Sequence, residues 1–210
     1  STKAFTGQIL VLLLFILKIS RIRNEIKENE YFDIVKDLEN ISSNVNLILD
    51  KKKIIEELAD DFTDIKGSIF LGRGFSYPIA LEGALKFKEL TYLHADGYPA
   101  GEMKHGPLAL IENGMPVVVV APNDRFYEKT ISNMQEVIAR GGKILLISDH
   151  AEEVAISDNI WSEIRIPKIH KFLSPFLSNI PLQLLAYYVA LKKGNDIDKP
   201  RNLAKSVTVE

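Results

Sequence analysis

Glu82, Lys86 and Glu89 stand four and three residues apart, a spacing that puts two carboxylates and an ammonium on one face of a helix. The set can be read in two ways. It is either a surface ladder of ion pairs worth about 0.2–0.5 kcal/mol each, or a carboxylate base with a cation at hand, able to move protons between carbon and oxygen. Downstream, the stretch from Tyr98 to Pro107 places His105 before a Gly-Pro turn. An imidazole held there can act as acid or base near neutral pH, although a plain surface histidine has the same sequence signature. No second His stands at metal-ligand spacing, so a metal is not expected. Close to the end, Lys205 lies among small residues. A lysine in a partly apolar pocket loses proton affinity and can attack a carbonyl to give a Schiff base; the competing reading is a frayed terminus.

The elements that must position these groups are visible in the hydrophobic pattern. Ser68-Ile69-Phe70-Leu71-Gly72 is a short apolar run bounded by glycines, as a buried parallel strand should be. Gly72-Arg73-Gly74-Phe75-Ser76 then turns into a helix expected from Tyr77 to Leu93, which carries the Glu-Lys-Glu face. That turn lacks the third glycine of a dinucleotide fingerprint and the Gly-Lys-Ser/Thr ending of a P-loop, so a tight strand-to-helix turn is favoured over a phosphate cradle. Val117 to Val120, Lys143 to Ser148 and, more weakly, Trp161 to Pro167 read as further strands. Arg125 to Arg140 and Phe172 to Lys192 read as helices between and after them. The alternation predicts an α/β fold, a mainly parallel sheet with helices on both faces, preceded by the helical stretch Arg21 to Phe62.

Composition narrows the classes further. With 210 residues the chain can bury a sizeable core, and a net charge of -2 provides no basic stripe for nucleic acid. The absence of cysteine excludes disulfides and a Cys nucleophile within these residues and fits a reducing cytoplasm. The apolar run Ile9 to Leu17 stops at Lys18, short of the roughly 20 residues that span a bilayer, so a buried helix apolar on all sides is expected and no membrane. Without an initiator Met, and with Ser1 or Thr2 placed to cap that helix, the sequence reads as an excised piece of a longer chain.

Four stretches carry a resemblance. They are Leu71 to Gly74, Tyr77 to Lys86, Gly101 to Leu110 and Asp198 to Glu210, and together they closely resemble the glutamine-fructose-6-phosphate aminotransferases, the glucosamine-6-phosphate synthases. The similarity extends along the chain, including its first six residues. It implies a sugar-isomerase (SIS) domain, a three-layer αβα sandwich. The implied organisation is 1–22 as the last helix of a preceding SIS domain, 23–62 as helical linker, 63–193 as the second SIS domain and 194–210 as an active-site tail. A glutaminase domain and most of the first SIS domain, with its phosphate-holding Ser/Thr-rich loop, would lie outside this sequence. Residue by residue, the resemblance implies that Lys205 forms the Schiff base with open-chain fructose 6-phosphate and that Glu89 moves the proton between C1 and C2. It implies that His105 assists ring opening in the site of a neighbouring subunit, that Lys86 is an electrostatic or relay partner, and that Ala204 and Ser1 line the sugar pocket. A homodimer making glucosamine 6-phosphate without a cofactor follows, the separate piece being expected to be inactive. A non-catalytic sugar-phosphate-binding SIS module is the alternative.

Overall fold

The computed structural model describes residues 2–150 and 160–203. Five strands form one parallel sheet: β1 (Gly67–Gly72), β2 (His94–Pro99), β3 (Pro116–Val120), β4 (Lys143–Ser148) and β5 (Ile160–Arg165). Their order is β2-β1-β3-β4-β5. The chain therefore works outward from β1 in one direction and from β3 in the other, which leaves a reversal between these two neighbours.

Side chains alternate across the sheet, as the period of two requires. Phe70, Val118, Val120, Leu145 and Ile147 pack into one core with Phe87 of α5 (Ser76–Thr91) and Leu182, Leu185 and Val189 of α7 (Ser174–Lys192). Ile69, Leu71, Val117, Val119, Ile144 and Leu146 pack on the other face with Met134 and Val137 of α6 (Tyr127–Ile138) and Met103 of the 3-10 turn Ala100–His105. Burying both faces explains why these strands are continuous apolar runs and not alternating ones. The three layers are those expected for the fold class.

Two expectations need correction. β2 was not foreseen, because His94-Ala95-Asp96-Gly97-Tyr98-Pro99 contains no β-branched residue and ends in proline. It forms nonetheless as an edge strand, in register with β1 from Gly67↔His94 to Gly72↔Pro99, and proline is tolerated at such an edge. The second correction concerns the first helix. α1 runs from Thr2 to Ile22, beyond Lys18, and is long and apolar enough by length and composition to cross a membrane. Nor is it covered on all sides: Leu17 is its one buried residue, while Val11, Leu12, Phe15, Ile16 and Ile22 are exposed. It is covered where Leu17 meets Ile34 of α2 (Glu28–Glu39) and Leu173 and Phe176, and where Phe5 packs on the core beside α7. The rest of the lead-in is helical, as expected, in α3 (Ile41–Leu49), α4 (Lys52–Leu58) and a 3-10 turn, Ala59–Phe62.

Candidate functional site

The Glu-Lys-Glu face of α5 is not a surface ladder. Lys86 Nζ lies 2.5 Å from Glu89 Oε2 and 3.9 Å from Glu82 Oε1, and the three side chains are 7%, 27% and 12% exposed for Lys86, Glu89 and Glu82. Taking three charges this far from water is unfavourable unless they satisfy one another, so the arrangement is held by mutual pairing. Burial pushes the Glu82 carboxyl above the usual carboxylate range against the opposing pull of Lys86, with Glu89 adding to the rise. Glu82 is the member that residue spacing left without a role. It stands behind Lys86 as a second carboxylate.

Helix α5 is held close to α7 at this point. A Cβ on Gly83 would sit 2.7 Å from Leu182 Cδ1 and 3.2 Å from its Cβ, so glycine next to Glu82 lets Leu182 of α7 pack directly on this turn of the helix. The helix ends at Tyr92, whose φ of 61° and ψ of 17° are left-handed, with its N–H donating to the Lys88 carbonyl.

Glu89 opens onto a cleft of about 450 Å³ lined also by Leu85, Lys88, Tyr92, His94 and residues 201–203. That size falls within the roughly 300–1,000 Å³ usual for small-molecule sites. The far rim is the chain after α7. Asn195 Nδ2 donates to the Leu90 carbonyl at 2.8 Å, and the Arg201 N–H donates to the Tyr92 hydroxyl at 2.9 Å. Lys205, Ala204 and Ser1 lie outside the described residues.

His105 is exposed, at the end of the 3-10 turn Ala100–His105, and Gly106 after it takes a φ of 146°, which side chains disfavour. This turn packs on the sheet face opposite α5. The structure therefore brings Lys86 and Glu89 together and keeps His105 away from them within one chain. The turn's own anchor is Arg73, whose Nη1 donates to Asn133 Oδ1 at 2.9 Å and whose guanidinium lies against Gly101, where a Cβ would be 3.1 Å from Nη1.

The glycine-rich turn after β1 is structural. A Cβ at Gly72 would lie 2.3 Å from the Ser76 carbonyl oxygen, and the Ser76 and Tyr77 amides donate to Arg73 and Gly74 carbonyls. Those two amides are committed within the turn. Among the described residues there is no group of three metal-ligating side chains.

Residues 61–193 match the family model for the SIS domain. Across all 210 residues the chain is 53% identical to the glutamine–fructose-6-phosphate aminotransferase [isomerizing] of Salmonella typhi and 52% identical to that of Escherichia coli (strain K12). It spans 34% of the length of each, about a third of these curated relatives. The solved C-terminal domain of glucosamine-fructose-6-phosphate aminotransferase from Francisella tularensis matches with a TM-score of 0.90 at 46% identity, covering 95% of this chain and 56% of that one.

Proposed function

Because the chain belongs to the SIS domain family, we propose that it is the ketose-aldose isomerase portion of a glutamine-fructose-6-phosphate aminotransferase, making glucosamine 6-phosphate from fructose 6-phosphate and glutamine-derived ammonia. The observation that carries this reading is the buried Lys86–Glu89 pair, whose Glu89 carboxylate faces a cleft rimmed by the chain that leads to Lys205. Identity to such enzymes over the full 210 residues supports it.

The chemistry follows from the groups. The Lys205 amine adds to the C2 carbonyl of the open-chain ketose and water leaves, giving an imine that ammonia then exchanges for its own. Glu89 takes a proton from C1, the electron pair passing to the C1–C2 bond as the imine nitrogen is protonated to an enolamine. Return of that proton to C2, with loss of the O1 proton, leaves an amine at C2 and an aldehyde at C1. Lys86, 2.5 Å from the Glu89 carboxylate and 3.9 Å from that of Glu82, is held between the two and fixes where Glu89 sits for the transfer. His105 serves the ring-opening step in the site of a second copy, because the sheet stands between it and Glu89 of its own chain. Ala204 and Ser1 line the sugar pocket.

In this reading residues 1–22 close a preceding SIS domain, 23–62 link it to the domain of 63–193, and 194–210 form the tail of a cytoplasmic homodimer. The phosphate is held by the preceding domain, so the separate 210-residue chain is inactive. The test is Glu89→Gln and Lys205→Ala in the intact polypeptide: each is expected to abolish amino-sugar formation while glutamine hydrolysis continues. Normal sugar product from either variant would refute the assigned role and favour a sugar-binding module.

A further inference from the structure

We propose that Tyr92 is a positioning residue for the isomerase reaction, a latch that fixes where residues 196–203 cross the end of α5 and so the point from which Lys205 acts. The inference rests on the reading above, in which Lys205 carries the Schiff base. It starts from an oddity of backbone. Tyr92 occupies the left-handed position after the last turn of α5, where helices most often place glycine and where a bulky side chain is disfavoured. A residue kept at such a position against its conformational preference points to a task for its side chain.

That task is visible in its contacts. The Tyr92 hydroxyl accepts the Arg201 N–H at 2.9 Å, and the Arg201 guanidinium lies over the same ring, 4.1 Å from its centroid. One side chain thus grips both the backbone and the side chain of Arg201. The strap between α7 and this grip is itself pinned. Asn195 holds the Leu90 carbonyl, and Asp196 Oδ1 accepts the N–H groups of Asp198 and Lys199 at 2.9 Å each. Tyr92, the residue that ends α5, and Glu89 in its last turn line the same cleft with Leu203. Four residues of chain span at most about 14 Å, so anchoring Arg201 at Tyr92 limits how far Lys205 can stray from that grip. Without the anchor the strap would be tied only at Asn195, and the volume open to Lys205 would grow steeply.

The variants that test this separate ring, hydroxyl and backbone. Tyr92→Gly suits the left-handed conformation and removes the grip, whereas Tyr92→Phe keeps the stacking ring and loses the acceptor. In the intact polypeptide, Tyr92→Gly is expected to keep its melting temperature and its KM for fructose 6-phosphate. Its kcat should fall at least about tenfold, with an equal fall in the amount of Lys205 imine trapped by borohydride. Tyr92→Phe should fall between the two. Trypsin cleavage after Arg201 should quicken in Tyr92→Gly, a readout independent of activity. Wild-type kcat and trapping in Tyr92→Gly, beside an inactive Lys205→Ala, would overturn the latch alone. Activity retained by Lys205→Ala would overturn the underlying reading and, with it, the catalytic part of the proposal.

Discussion

Lys86 stands between two carboxylates in a place with little water, and the balance of that trio decides both stability and chemistry. Removing the cation leaves two partly buried carboxylates without their shared counter-charge. Lys86→Met is therefore expected to destabilise the fold by roughly 3 kcal/mol, read from urea denaturation. Glu82 adds a pH dependence whose sign is fixed by its raised pKa. The folded state holds the Glu82 proton more tightly than the unfolded state, so this residue's contribution is full at low pH and is lost as pH rises through the folded value. Relative to Glu82→Gln, the native chain should lose stability as pH is raised from about 4.5, measured by paired denaturation curves. Spacing alone revealed that the three residues share a helix face. Their shielding was not legible, because an exposed ladder has the same four-and-three spacing, and it depends on elements distant in sequence. The grip of Tyr92 on Arg201, across 109 residues, left no local signal either.

At the level of elements, the strongest sequence signals were the ones that packing on both sides demands. Val117 to Val120 and Lys143 to Ser148 had to be apolar on both faces and were recognisable for that reason. β2 is held by its register with β1 and by Leu81 of α5, against which a Cβ on Gly97 would sit at 2.9 Å, so partners and not its own residues make it a strand. The junction between α2 and the start of α7 is tied at His170. Its N–H donates to Asp37 Oδ2 at 2.7 Å, its Nδ1 accepts the Phe172 N–H at 3.3 Å, and Nε2 lies 3.9 Å from Glu30. Burial and then Lys171 lower its pKa, offset in part by Glu30, Asp37 and Asp33. Since the fold favours the neutral ring, stability is full above about pH 6.5 and is lost as pH falls through the lowered folded value. His170→Asn, which retains an acceptor for Phe172, should flatten that slope between pH 6.5 and 5 in thermal melts.

For the whole molecule the exposed face of α1 matters most. An apolar groove of about 580 Å³ runs beside it, lined by Leu12, Leu13, Ile16, Phe75 and Phe172 among others. A surface of this character rarely stays in water, so the purified chain is expected to sediment as a dimer or larger at micromolar concentration. Leu12→Glu with Phe15→Glu should return it to monomer. The sheet that separates Glu89 from His105 has a different consequence, one of genetics in a test tube. If each sugar site takes its carboxylate from one subunit and its imidazole from the other, two inactive proteins can repair each other. Glu89→Gln and His105→Ala homodimers would each be dead, yet random reassortment makes half of the dimers mixed, and each mixed dimer holds one site with both native groups. Subunit exchange between the two variants should restore about a quarter of wild-type turnover, whereas a site built within a single chain would restore none.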